Sequence, residues 1–260
     1  MAEVRFWREG PIGHVVFSNP PRLNAMTLEM WRALPGAVAA LDADPEVRVI
    51  VCRGDGERAF ISGADISQFE RLRATVAAQA EYERALEEAY RAPMKATKPV
   101  LASIRGVCMG GGLGFAAACD LRIAADDVAF RMPAARLGLG YSPAGVRRFV
   151  HLIGAANTCD LFFTARTFDA REALRIGFVS RVVPAAELER ATAELCAEIA
   201  ANAPLTVAAA KFAVQQALED PERRDLAKAQ RMVEACFASE DHVEGRRAFL
   251  EKRKPQFHGR

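Results

Sequence analysis

Apolar residues recur along this chain with two different periods, and the switch between them divides it. Short Val/Ile-rich runs at residues 4–8, 14–18, 48–53 and 99–105 are bounded by Gly, Pro and Asn, the pattern of buried strands. Between these runs the period becomes helical. Trp31, Leu34, Val38 and Leu41 share one helical face, with Thr27 placed to cap its start. Pro35-Gly36 falls inside that stretch. An interior proline costs about 3 kcal/mol, so a kink or break is expected there. A longer helical pattern runs through Phe69, Leu72, Val76, Tyr82, Leu86 and Tyr90, with Glu and Arg on the opposite face.

Beyond residue 106 the pattern predicts a helix of small residues, a strand at 121–124 and a short apolar piece near 128–130. Two helices near 146–153 and 155–163 follow, then a strand at 178–183. From Pro184 onward no strand is expected. Leu188, Ala191, Leu195 and Ile199 make one helical stripe, and Leu226, Ala229, Val233 and Phe237 make another. The expected organisation is an α/β core over residues 1–183 and an all-helical region over 184–260. Such a tail buries its stripes only against the core or a neighbouring subunit.

Composition narrows the function classes. Half the chain, 51%, is hydrophobic, enough for a sizeable core. The 35 basic and 33 acidic residues leave a net charge of +2, which argues against a nucleic-acid surface built on bulk charge. No apolar run approaches the ~20 residues of a membrane span, and the start lacks a basic segment leading into an apolar one. A cytoplasmic protein with no membrane or nucleic-acid partner is expected. The six cysteines are scattered without a C-x-x-C pair and read as reduced thiols. The four histidines are isolated, so no metal site is expected.

The candidate chemistry lies in two glycine turns, at residues 59–66 and 106–120. Each puts small residues where a backbone N–H can face outward, and the second opens a helix whose positive dipole end would face the same spot. Two such donors aimed at one point stabilise negative charge on a carbonyl oxygen. Other uses of glycine fit less well. The phosphate-loop pattern G-x-x-x-x-G-K-[ST] is absent, and after Gly110 and Gly112 the third glycine of a dinucleotide fingerprint is replaced by Phe115. A strand-to-helix turn with no ligand stays open for either turn taken alone.

Residues 59–66, 106–120 and 165–180, in this order and spacing, resemble the enoyl-CoA hydratase/isomerase (crotonase) family, with 19–25 and 249–254 similar to its first CoA-contacting turn and its C-terminal end. The resemblance implies a crotonase-like spiral of ββα units, a fold related to Clp proteases. It also implies a C-terminal helical region that builds trimers or dimers of trimers. An acyl-CoA thioester would be bound, coenzyme A entering as part of the substrate, with no permanently held cofactor. By position the two carbonyl-binding donors would be the N–H groups of Ala64 and Gly111. The CoA portion would lie against Arg22, Ala25, Ser62, Asp65 and Ile66, with Phe249 and Lys252 from the C-terminal end. The basic run at 252–254 is equally explained as a solvated helix end.

The chain departs from the hydratase pattern where it matters most. The two water-activating glutamates of that pattern correspond to Gly114 and Ala134, neither of which can move a proton. General acid–base help contributes roughly 10²–10⁴-fold, so hydration by the standard route is not expected. Tyr141 resembles in position a tyrosine of the family's decarboxylase branch. It is a candidate proton donor, or else a half-buried ring hydrogen-bonded to backbone, the commoner arrangement. Ser142 is expected to cap a helix opened by Pro143, and Glu83, Glu87 and Glu88 to form a solvated helix face. A non-catalytic acyl-CoA binder is the alternative. A serine peptidase on the related fold is set aside, because the run 110–114 holds no serine.

Overall fold

The computed structural model describes residues 2–65 and 75–260. The apolar runs of the first half form strands as expected, and the fold pairs them in one sheet. β1 (Glu3–Glu9) and β2 (Ile12–Ser18) form an antiparallel hairpin. β3 (Val49–Gly54), β5 (Val100–Ile104), β7 (Leu121–Ala125) and β10 (Arg181–Val183) extend it in parallel, in the order β1-β2-β3-β5-β7-β10. Every residue of β5 is buried, as expected of a parallel strand covered on both faces.

A second sheet escaped the sequence pattern. β4 (Ala59–Ile61), β6 (Val107–Met109), β8 (Ala129–Arg131) and β9 (Thr167–Asp169) are three residues each, too short to show alternation. They pair in the order β4-β6-β8-β9, antiparallel only at the last step. From β3 to β8 successive strands thus alternate between the two sheets. α2 (Val76–Lys95) follows β3–β4, α3 (Gly111–Ala118) follows β5–β6, and α4 (Pro143–Thr164) follows β7–β8. This repeated ββα unit is the crotonase-type spiral. Of the long helical pattern, Phe69 and Leu72 lie outside the described residues, while Tyr82 and Tyr90 sit on the buried face of α2.

Two local expectations change. α1 (Leu28–Ala43) is unbroken at Pro35, and Thr27 caps it by accepting from the Met30 N–H at 3.2 Å. Trp31, Leu34, Val38 and Leu41 are all buried, worth about 1.5–3 kcal/mol each, which outweighs the proline's cost while Gly36 stays at the exposed side. The two helices expected over 146–163 are present as the two halves of α4, which meet at the non-helical Gly154 (φ 76°, ψ 164°). The strand expected at 178–183 shortens to β10. The N–H groups of Phe178 and Val179 are spent on the Ala173 carbonyl (2.8 and 3.3 Å), at the end of α5 (Ala170–Arg175).

After β10 the chain is helical. α6 (Leu188–Ala200) lays Leu188, Leu195 and Cys196 over Val49, Leu101 and Ile123 of the large sheet, so it completes the core. α7 (Pro204–Leu218) is tied down by Lys211. Its ammonium donates to the carbonyls of Pro93 and Lys98 (2.7 and 2.9 Å) and pairs with Asp120 at 2.7 Å. α8 (Leu226–Ala238) and α9 (Glu240–Leu250) leave Leu226, Phe237, Phe249 and Leu250 exposed. Among the described residues no helix is long and apolar enough to cross a membrane.

One buried arginine fixes the helix that carries the second glycine turn. Arg122 donates to the carbonyls of Ala116 (3.1 Å) and Cys119 (2.6 Å), at the C-terminal end of α3, and to that of Phe178 (2.5 Å). Burial weakens its hold on its proton, but three carbonyls face it. Arg122→Met should strand the Cys119 and Phe178 carbonyls, each worth about 1–3 kcal/mol when left unpaired, while the Ala116 carbonyl keeps the Cys119 N–H at 3.2 Å. A urea melt should therefore show a loss of about 2 kcal/mol or more.

Candidate active site

Both glycine turns leave the C-terminal ends of neighbouring parallel strands. β4 runs into Ser62-Gly63-Ala64, and β6 runs into Gly110-Gly111. Gly63 (φ 124°) and Gly110 (φ 52°) adopt backbone angles that only glycine takes without strain, which is what reverses the chain so abruptly. The turns touch: a Cβ built on Gly110 would lie 3.9 Å from the Gly63 Cα. Neighbouring donors are committed, the Gly110 N–H to Arg131 O (2.9 Å) and the Asp65 N–H to Met26 O (2.9 Å). The N–H groups of Ala64 and Gly111, both on half-exposed residues, find no acceptor among the described residues.

The segment at 19–26 buttresses the first turn. Ser62 donates its N–H to Leu23 O (3.2 Å) and its hydroxyl to Arg22 O (3.1 Å), and Met26 donates to Gly63 O (2.9 Å). The guanidinium of Arg22 pairs with the buried Asp65 carboxylate at 3.2 Å. The carbonyl of buried Ala25 accepts from the Asn19 amide at 2.8 Å. Arg22, Ala25, Ser62 and Asp65 therefore stand together beside Ala64, whereas Ile66 lies outside the described residues. Phe249 and Lys252 are not joined to them. Both are exposed, and the Lys252 N–H bonds back to Phe249 O at 3.3 Å.

The space a side chain at 114 would need is taken by two phenols. A Cβ on buried Gly114 would overlap the Tyr141 hydroxyl and lie 2.6 Å from that of Tyr90. Tyr90 comes from α2 and donates its hydroxyl to Gly111 O at 3.0 Å. Tyr141 precedes α4, whose start Ser142 caps through the Gly145 N–H at 3.1 Å. Its ring meets Phe162 edge-on at 5.2 Å. The expected backbone partner is absent, since its buried hydroxyl has no hydrogen-bond partner among the described residues. Burial pushes the Tyr141 phenol up to about 12, against smaller opposite effects of the Tyr90 hydroxyl and Arg148. Burial, and then the nearby Tyr141, hold Tyr90 well above the usual tyrosine range. Both are therefore neutral proton carriers at ordinary pH.

Trp31 forms the floor beneath Gly111, its ring edge 3.0 Å from where a Cβ there would stand, and it donates its Nε1–H to the Tyr82 hydroxyl at 3.0 Å. Ala134, the second position without a carboxylate, is buried next to Pro133, which packs against the Gly110 turn. The solvated helix face expected of three glutamates holds for Glu83 and Glu88 but not for Glu87. Glu87 pairs with Arg148 of α4 at 3.1 Å, and that guanidinium lies 5.1 Å over the Tyr90 ring. Tyr90, Trp31 and Arg148 read in the sequence as core or surface. The available signal was a tyrosine hydroxyl on an otherwise apolar stripe, which needs a partner once buried.

Adjacent backbone donors beside a phenol-lined turn are an arrangement able to stabilise a carbonyl oxygen as it gains charge. The family profile for enoyl-CoA hydratase/isomerase matches residues 8–260. A short-chain-enoyl-CoA hydratase of Clostridium acetobutylicum is 32% identical over 249 residues, covering 95% of this chain and 94% of its own. A crotonyl-CoA hydratase of Syntrophomonas wolfei is 32% identical over 252 residues, 96% and 95% of the two chains. The crystal structure of an enoyl-CoA hydratase/isomerase family protein from Hyphomonas neptunium superposes with a TM-score of 0.93 at 36% identity, covering 99% and 98%. This chain belongs to the enoyl-CoA hydratase/isomerase family.

Packing at Gly114 gives a direct check. Gly114→Ala must drive two buried phenols aside, an overpacking cost of about 1–3 kcal/mol. The cost should shrink in the Tyr90→Phe, Tyr141→Phe background, where both hydroxyls are gone. A double-mutant cycle by urea unfolding measures that coupling.

Proposed function

We propose that this chain is an enzyme that binds an acyl-CoA thioester with its carbonyl oxygen between the N–H groups of Ala64 and Gly111 and stabilises the derived enolate. The observation carrying this reading is that these two donors, on touching turns, have no acceptor among the described residues. Each such donor contributes about 3 kcal/mol to a transition state that places charge there. Coenzyme A enters with the substrate. Arg22, Ala25, Ser62 and Asp65, which stand together beside Ala64, are assigned to its path along with Ile66 by the family resemblance. The resemblance also assigns Phe249 and Lys252, exposed and apart from that group in this chain.

The two-glutamate hydration route has no residues to run on, because Gly114 and Ala134 hold no proton. Tyr141 is the proton source in this reading. A neutral phenol, with the nearby Glu87 carboxylate tied up by Arg148, suits an enolate formed by bond cleavage, as in a decarboxylation, better than one formed by deprotonation. A panel of enoyl-, dicarboxylyl- and hydroxyacyl-CoA esters, followed by mass spectrometry, tests this. At least one ester should turn over, and Tyr141→Phe should lower its kcat about 10²-fold or more. Tight binding with no turnover across the panel would sink the enzymatic reading in favour of an acyl-CoA binder.

The assembly follows from the tail. A groove of about 900 Å³ runs between α7, α8 and α9, lined in part by Val233, Phe237, Phe249, Leu250 and Phe257. It is distant in the chain from both glycine turns, and its exposed apolar side chains fit a face covered by another subunit. We take residues 184–260 to build a homo-oligomer, a trimer or dimer of trimers. Sedimentation velocity should give such a species, with Phe237→Asp shifting it toward monomer; a monomeric wild type would refute the assignment.

A further inference from the structure

The structure assigns a role to Tyr90: we propose that it is a positioning residue that holds the Gly111 turn and the Tyr141 hydroxyl in register, so that the two phenols act as one proton-donating pair. This rests on the enolate reading above and extends it to a residue whose sequence context marks it only as core.

The case begins with what the hydroxyl costs. Tyr90 is 3% exposed, on a helix face that is otherwise apolar or, at Tyr82, engaged by the Trp31 indole. A phenylalanine would fill the same volume without desolvating an oxygen. The hydroxyl is used instead on the Gly111 carbonyl, at 3.0 Å. That carbonyl sits one peptide beyond the Gly111 N–H, so an anchor on it sets the tilt of the turn that aims the N–H. Tyr90 thus reaches the proposed oxyanion donor from outside α3.

The second observation is independent. Tyr141 carries a buried hydroxyl with no partner among the described residues, held over Gly114 beside the Tyr90 hydroxyl. Gly111 and Gly114 are one helical turn apart, on one face of α3. A Cβ at Gly111 would stand 3.5 Å from the Tyr90 hydroxyl, which therefore lies between the two positions. An unpaired buried hydroxyl is costly, and a ligand atom that accepts its proton removes that cost. Arg148, lying over the Tyr90 ring and pinned by Glu87, places a cation behind the pair.

The proton step balances without a further reactant. The Tyr141 O–H bond breaks as a C–H bond forms at the enolate α-carbon, and the enolate electron pair becomes that bond as the thioester carbonyl is restored. The resulting phenolate accepts a hydrogen bond from the Tyr90 hydroxyl, turned from the Gly111 carbonyl. It regains its proton from water when product leaves.

The test uses a cinnamoyl-CoA thioester with an electron-donating ring substituent, whose absorption moves to longer wavelength when its carbonyl is polarised. Wild type should move the band. Tyr90→Phe should bind the probe with nearly unchanged Kd but give half the displacement or less, and on any ester the wild type turns over it should lower kcat about tenfold or more with KM little changed. Equal displacements in the two proteins would overturn the role of Tyr90 while leaving the enolate reading intact. No displacement in wild type would remove the enolate reading itself, and this inference with it. Should Tyr90→Phe fail to fold, wild type labelled with carbon-13 at tyrosine Cζ serves instead, with Tyr82→Phe and Tyr141→Phe for assignment. Probe binding should move the Tyr90 and Tyr141 resonances together, and a Tyr90 resonance that stays still overturns the proposal.

Discussion

Parallel pairing of β4 with β6 is the constraint from which the site derives. Those strands are three residues each, matched Ala59 to Val107 and Ile61 to Cys108. Because they run the same way, the turns that follow them emerge side by side at one edge of the small sheet. An antiparallel pair would have sent them to opposite ends. Two loops separated by almost fifty residues of sequence become neighbours through this register, and α3 begins where they meet. Arg122 holds the far end of α3, so the short helix is fixed at both ends.

Around that edge, the interior behaves as a single volume shared among several elements. An acidic side chain at 114 would need room that this fold gives to phenols from α2 and from the segment before α4. The lack of a side chain at 114 and the presence of the tyrosines are thus one packing decision. The groups that fill this space are neutral phenols whose burial makes their protons hard to remove. Trp31 and Tyr82 complete the wall, so the turn rests on aromatic surface.

Much of this was legible in the residues. The long parallel strands declared themselves by buried Val and Ile runs, and the two glycine turns by small residues beside an apolar run. Ser142 and Thr27 were readable as caps because their neighbours could be satisfied locally. The four strands of the small sheet were not legible, since three residues carry no periodicity and only long-range pairing defines them. Pro35 misled because a local penalty was weighed without the burial of four large side chains opposite. Glu87 misled because its partner, Arg148, is supplied by an element some sixty residues away. The phenol pair was hidden for the same reason: Tyr90 and Tyr141 meet only through the fold.

Gly154 bears on how local changes spread. The break there splits α4 into an inner half, carrying Arg148 and Phe149 against the tyrosines, and an outer half, carrying exposed Phe163. A continuous rod would convey any tilt of its outer end to the ring stack. With the backbone interrupted at Gly154 the link runs from side chain to side chain instead: Phe162 of the outer half meets the rings of both Tyr141 and Phe149 edge-on at 5.2 Å, so whatever covers the outer segment reaches the phenols through that one ring.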